Sequence, residues 1–477
     1  MRKTVLTVMA VCGVTTALGA CTMVPDYLRP GFSAAEQWND VPGYETAQGE
    51  QAAQNLHWRN FFKDPALRQV IAIALEHNKD LRMAALNIDA ARAQYRIERA
   101  DIVPSVNANA DATYQESSDE SSVTGRSERT DLYDANLGIS AYELDLFGRV
   151  RSKNQAALND YLATESARDV VRNRLIAEVA NAYLRLLADQ KLLALTEKTL
   201  AAQENTYDLL SRTRDEGVAT ESDVSRAQTA VETARVNLHQ YRRLVEQDKN
   251  ALTLLMGVPH SEGMIPVSGL ENIDVPVALD PGLPSDVLIA RPDIRQAEYE
   301  LLARNADIGA ARAAFFPQIS LTGTYGFASD SLSDLFTSGA AGAWRFVPQV
   351  TLPVFQGGRN KANLELAEIR KESAIVNYEK AIQTAFREVS DELAARATLT
   401  EQLEAQRRLV AASERVYNMS DERYKAGIDS FLSVLDAQRE LYVAQQNEIQ
   451  TERQRLTNLV NLYRVLGGGS FGEDEVR

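Results

Sequence analysis

Apolar residues recur at steps of four and three in two widely separated stretches: Leu175, Val179, Ala182 and Leu186 in one, Ile382, Phe386, Val389 and Leu393 in the other. That spacing is the stripe of a helix packed against neighbours. Glycine and proline set how far such helices run, because either residue weakens a helix interior. Between Gly148 and Gly217 lie 68 residues free of both, and between Gly358 and Gly427 another 68. Each gap predicts one uninterrupted helix, roughly 100 Å long at 1.5 Å per residue. A shorter free run follows each, 39 residues from Gly217 to Gly257 and 39 from Gly427 to Gly467. The same helical hairpin is thus written twice, 210 residues apart, with Val224 matching Val434, Ala227-Gln228 matching Ala437-Gln438 and Leu252 matching Leu462. Upstream, at an offset of 213, Asp80-Leu81-Arg82 matches Asp293-Ile294-Arg295 and Pro104 matches Pro317. A period this long exceeds the ~20–50 residues of a solenoid unit, so a duplicated half-domain is the better reading; a bent bundle in a compact domain is the alternative.

Between the short and long helices the period changes to two. Val106, Ala108, Ala110, Ala112 and Tyr114 alternate with polar residues, as do Tyr133, Ala135, Leu137 and Ile139, after which the phase flips to Tyr142, Leu144 and Leu146. Alternation predicts two-faced strands, and the flip predicts a bulge or a surface crossing. In the second half Ile319, Leu321, Tyr325 and Phe327 form one strand face, and Trp344, Phe346, Val350, Leu352 and Val354 another. Two β-hairpins follow, with tips near residues 116–130 and 330–340 that are rich in Ser, Asp and Gly. Strands of about ten residues with one apolar face suit a membrane barrel; they also suit a soluble sandwich. Four strands cannot close a spanning barrel, and open edges are not tolerated in lipid. A spanning sheet would require oligomerisation, and a homotrimer would supply twelve strands.

The resulting organisation is a leader at 1–20, an N-terminal segment and equatorial part at 21–79, a first repeat at 80–258 with its β-hairpin at 104–147, and a linker at 259–291. A second repeat occupies 292–466 with its β-hairpin at 317–355, and 467–477 is a tail. The fold class expected is mainly α with a membrane β-barrel.

Composition narrows the functions. The chain has 51 Lys plus Arg against 66 Asp plus Glu, a net charge of −15, which disfavours nucleic acid as a partner. Four histidines and two cysteines show no metal-ligand or nucleophile spacing, so no catalytic residue, metal or cofactor is expected. Many Arg, Glu, Asp and Gln side chains keep the long helices out of hydrocarbon. Gly357-Gly358-Arg359-Asn360-Lys361 has the wrong spacing for a phosphate loop. At the start, Arg2 and Lys3 precede an apolar run from Val5 to Leu18, with small residues before Cys21. This is the layout of a cleavable export signal, and Leu18-Gly19-Ala20-Cys21 resembles a bacterial lipobox, which implies a covalent diacyl lipid on Cys21. A plain secretory leader with a chance cysteine is the alternative.

Several motifs carry a wider resemblance: Trp58-Arg59-Asn60-Phe61-Phe62-Lys63-Asp64-Pro65, Tyr142-Glu143-Leu144-Asp145-Leu146-Phe147-Gly148-Arg149, Gly282-Leu283-Pro284-Ser285-Asp286, Arg291-Pro292-Asp293-Ile294, and Gly309-Ala310-Ala311-Arg312-Ala313-Ala314-Phe315-Phe316-Pro317. With them the chain resembles the outer-membrane factor lipoproteins of tripartite efflux pumps, the TolC/OprM/NodT type. The resemblance implies a TolC-like homotrimer, with a 12-stranded barrel continued by a long periplasmic α-helical tunnel. It implies an outer-membrane exit duct for drugs and other small toxic compounds, working with a periplasmic adaptor and an inner-membrane RND-type transporter. A duct for secreted polypeptides and a lipid-anchored scaffold without a pore are the other function classes.

The hairpin tips, Gly217-Val218-Ala219-Thr220 and Gly427-Ile428, are the expected adaptor-docking sites. The repeats differ where a gate would lie, since Leu432 matches Ser222 and Asp436 matches Arg226. Leu432 and Asp436 share a helix face, and a trimer would turn them into an apolar ring and an acidic, cation-selecting ring. The resemblance implies that Arg423, Tyr424 and Arg439 form the links holding this constriction shut.

Overall fold

The computed structural model describes residues 22–31, 56–118, 128–259, 269–274, 291–335 and 341–468. Among the described residues twelve α-helices and strands follow in chain order: α1 Trp58–Phe61, α2 Pro65–His77, α3 Lys79–Ala100, β1 Val106–Ser117, β2 Glu128–Leu144, α4 Arg149–Asp215 and α5 Glu221–Met256, then α6 Pro292–Ala313, β3 Gln318–Ser329, β4 Ala341–Thr351, α7 Arg359–Lys425 and α8 Phe431–Val465. The two longest helices hold 67 residues each, as their missing breakers imply. No described helix is long and apolar enough to cross a membrane.

The chain divides into two compact units that cut across the repeats. The first draws on Met1–Gly31, Asn87–Thr164 and Gln296–Glu379, the second on Phe32–Leu86, Glu165–Arg295 and Lys380–Arg477. Each repeat therefore gives its strands and the start of its long helix to one unit, and the rest of its helical hairpin to the other.

In the first unit the strands make one antiparallel sheet in the order β1-β2-β3-β4. The two sequence hairpins are joined by pairing of β2 with β3, a contact between the repeats. Ala108, Leu137, Tyr325 and Trp344 line up across the four strands, and this apolar row is exposed, Trp344 to 75%. The flip of alternation in β2 is a bulge: Ile139 pairs Gly323 and Tyr142 pairs Leu321, leaving two residues opposite one. Ala141 takes up the strain at φ 55°, and its N–H donates to Thr322 Oγ1 at 3.1 Å. The extra residue keeps Tyr142 and Leu144 on the face of Leu137 and Ile139, so the apolar surface continues through the change of phase. Below the sheet, Asp145 caps α4 by accepting from the Val150 and Arg151 N–H groups at 3.1 and 2.9 Å, while Arg149 pairs with Glu143.

The second unit holds the main apolar core, in which the Leu175, Val179, Ala182 and Leu186 stripe is buried. Trp58, Phe61 and Phe62 enter the same core, and Phe61 stacks on Tyr463 at 4.1 Å. Asp64 caps α2 through Leu67 N–H at 2.6 Å, with Pro65 as its first residue. This arrangement accounts for the Trp58–Pro65 motif. The repeat reappears as a bonding pattern. Asn78 Nδ2 donates to Leu255 O at 2.9 Å, and Arg291 Nη1 donates to Val465 O at 3.0 Å. In each repeat, then, the residue before the short helix satisfies a carbonyl at the C-terminus of the hairpin's second helix, where such groups lack intrahelical partners. Arg291 also grips Asp293 at 2.6 Å and Glu388 at 2.9 Å.

Candidate functional site

Both hairpin tips lie in the second unit and are built the same way. Gly217 and Gly427 sit at φ 77° and 73°, a backbone region that a β-carbon disfavours. A Cβ added at either position would meet nothing within 4 Å, so the turn geometry alone calls for glycine. Val218 N–H bonds Thr213 O at 2.8 Å and Ile428 N–H bonds Arg423 O at 2.9 Å, which closes each long helix in a Schellman-type end. The next apolar side chains, Val218 and Ile428, are 79% and 62% exposed.

The entries to the returning helices differ. Thr220 and Asp223 form a reciprocal capping box at the start of α5, with Asp223 N–H donating to Thr220 Oγ1 at 3.2 Å. At α8 the cap is Ser430, which makes no side-chain cap bond. Arg423 ties the second tip instead, donating to both Asp429 oxygens at 2.6 and 3.1 Å. That fork holds the Asp429 carboxyl below its ordinary range. Tyr424 stacks obliquely on Phe431, ring centres 5.4 Å apart, beside a cluster of Leu210, Val224, Ala227, Phe431 and Val434. Burial, and secondarily the Asp223 carboxylate, push the Tyr424 phenol upward.

Of the expected gate residues, the structure pairs Asp436 with Arg439 at 3.2 Å on one helix. Arg423 finds Asp429 within its own turn, and Tyr424 packs between the hairpins. Leu432, Asp436 and Arg439 line a cavity of about 430 Å³ together with Arg226 and Tyr442. The two residues that the repeat aligns, Arg226 and Asp436, thus border one space from two helices. The Arg423–Asp429 bond escapes sequence reasoning because six residues across a turn match no helical spacing. Cys21 and the Gly282–Asp286 motif lie outside the described residues.

The family described as outer membrane efflux protein matches residues 70–258 and again 283–468, one match for each repeat. The chain belongs to this family. A probable efflux pump outer membrane protein of Pseudomonas putida, TtgC, is 50% identical over 455 residues, covering 95% of this chain and 94% of its own. The outer membrane protein OprJ of Pseudomonas aeruginosa is 45% identical over 470 residues, covering 98% and 97%. Among solved structures, the open-state MtrE outer membrane channel of Neisseria gonorrhoeae superposes with a TM-score of 0.86 at 39% identity, covering 94% of this chain and 98% of that one. This family member has the TolC-like fold, resides in the outer membrane and acts as an efflux exit duct.

Proposed function

We propose that three copies of the chain close their sheets into a 12-stranded barrel and form the exit duct of a tripartite multidrug efflux system. The observation carrying this reading is the single sheet with β1 and β4 at its ends and an exposed apolar face. Unpaired strand edges are excluded from hydrocarbon, so the edges of neighbouring copies pair. The exposed apolar tips at Val218 and Ile428 supply docking points for a periplasmic adaptor, with Gly217, Ala219, Thr220 and Gly427 shaping them. An RND-type inner-membrane transporter selects the drugs and other small toxic compounds, and the duct itself has no catalytic residue. Leu432 and Asp436 form the constriction, which Arg423 and Tyr424 on the partner helix α7 and Arg439 one turn farther along α8 stabilise. Acylation of Cys21 adds about 0.8 kcal/mol per buried methylene, and two chains suffice for stable anchoring.

The test is single-channel conductance of the purified protein in planar bilayers, with drug susceptibility of a deletion strain beside it. A cation-preferring channel that widens in the Leu432→Ala/Asp436→Ala double variant is expected. Unchanged conductance and ion preference in that variant would place the constriction elsewhere, and a deletion strain with altered polypeptide secretion but unaltered drug susceptibility would favour the secretion duct.

A further inference from the structure

The cavity of about 430 Å³ in the second unit is a groove whose walls are one face of α5, from Arg226 to Asn237, and one face of α8, from Leu432 to Gln446. At 1.5 Å per residue those faces run about 16–21 Å. The volume falls among small-molecule sites, about 300–1,000 Å³, and spread over that length it suits a chain better than a fused-ring body. The space exists because α5 presents small side chains there, Ala230 and Ala234, with Thr229 and Thr233 beside them. Both threonine hydroxyls donate within the helix, to Ser225 O at 2.9 Å and Thr229 O at 2.8 Å, so neither needs a partner from the groove. Leu435 and Val443 line the opposite wall, Val443 being 47% exposed. The middle of the groove is therefore apolar.

Polar groups with free bonding capacity interrupt this lining at two places. Arg226 donates its Nε to Ser222 Oγ at 3.4 Å, and among the described residues its Nη groups bond nothing. Gln203, reaching the groove from α4, has a buried Oε1 without a hydrogen-bond partner. Its terminal amide torsion is broad, so a half-turn brings that oxygen to a donor in the groove. The ion pair of Arg235 with Glu204 at 2.8 Å sets Gln203 nearly level with Ala234, about 12 Å along α5 from Arg226. The other lining polar groups are better served. Tyr442 and Gln446 bond Thr196 Oγ1 at 2.7 Å and Tyr241 Oη at 2.9 Å, and Arg439 pairs with Asp436 at 3.2 Å. Arg226 is left as a surplus positive charge.

We propose that this groove binds a slender amphipathic organic acid. Its anionic head lies on Arg226, its apolar chain runs between Ala230, Ala234, Leu435 and Val443, and a hydroxyl about 12 Å from the head donates to Gln203. The site stands on the groove itself. A molecule bridging α5 and α8 beside Leu432 and Asp436 would also hold the constriction narrow, a consequence that rests on the duct reading.

The probe is carbon-labelled ω-hydroxydecanoate in equilibrium dialysis against the full-length protein in lipid nanodiscs, with empty discs subtracted. Saturable binding is expected. It should weaken about fivefold for decanoate, which lacks the hydroxyl, and about fivefold for decanediol, which lacks the charge. Arg226→Gln should lower the affinity for both acids about fivefold and leave decanediol unchanged. Gln203→Leu should remove the preference for the hydroxylated acid over decanoate. Ala230→Leu fills the groove without touching a charge and should abolish binding of all three, with helical circular dichroism separating a filled groove from a misfolded chain. Absence of saturable binding above empty discs, or affinities indifferent to Arg226→Gln and Ala230→Leu, would overturn the proposal. Binding that appears only once the oligomer is dissociated would give the groove to a second copy and overturn it as well. In planar bilayers the acid should lower the conductance of the parent and not of Ala230→Leu. Binding without that effect would keep the site and refute the constriction at Leu432 and Asp436, so the two readings fail separately.

Discussion

Asp189 on α4 and Asp248 on α5 are buried, 8% and 7% exposed, and hydrogen-bond each other. The charges of Arg185 and Arg453 act on both in the opposite sense, favouring the ionised form, while Asp248 Oδ2 has no hydrogen-bond partner. Two carboxylates this close share a proton. Burial, and next the charge of Asp189, push Asp248 from its ordinary 3.8 up to about 7. Between those values the folded chain holds a proton that the unfolded chain has released. Stability from this site is therefore fully present below the unfolded pKa and is lost as pH rises through the folded one. A rise of about three units corresponds to about 4 kcal/mol. Sharing with Asp189 and solvent screening reduce the expectation to about 2 kcal/mol. Asp248→Asn keeps a hydrogen-bonding group and removes the charge, so it should match the parent only below the unfolded pKa, exceed it slightly at pH 5 and exceed it by the full amount at pH 8. For a chain of this length that is about 2 °C in unfolding temperature, read by circular dichroism in mild detergent at one scan rate. A variant whose difference from the parent is the same at pH 5 and pH 8 would refute the shared-proton account.

Arg291→Ala should destabilise by about 3–5 kcal/mol, since Asp293, Glu388 and the Val465 carbonyl all lose their donor; the unfolding midpoint measures it, and full rescue by Arg291→Lys would argue against the fork. Gly326→Ala should break the β2–β3 pairing and with it the proposed trimer, read by mass measurement in mild detergent, because its Cβ would sit 2.1 Å from Ala135 O, whereas Gly342→Ala, whose nearest neighbour is Tyr325 Oη at 3.8 Å, should be tolerated. Phe61→Ala should cost about 3–5 kcal/mol through loss of packing in the fully buried stack on Tyr463, checked by chemical unfolding.

The bulge in β2 was legible as a change of phase after Ile139, because strand alternation has a period of two and one extra residue must show in it. The tips were legible as Gly217 and Gly427, because a left-handed backbone selects glycine. The clamp of Glu298 on Tyr27 and Arg29 was not legible: those partners stand 271 and 269 residues apart, and no local period links them.

What the sequence alone determined is whatever the backbone enforces within a few residues: the lengths of the helices, the duplication, the two-faced strands and the caps. Pairing of β2 with β3, the division of each repeat between two units and the bonds of Tyr27 and Arg29 to Glu298 were decided by tertiary structure. These depend on which surfaces meet after the chain has turned back on itself. A residue's type restricts such a meeting through volume, charge and hydrogen-bonding capacity, but only the assembled backbone brings the distant partner within reach.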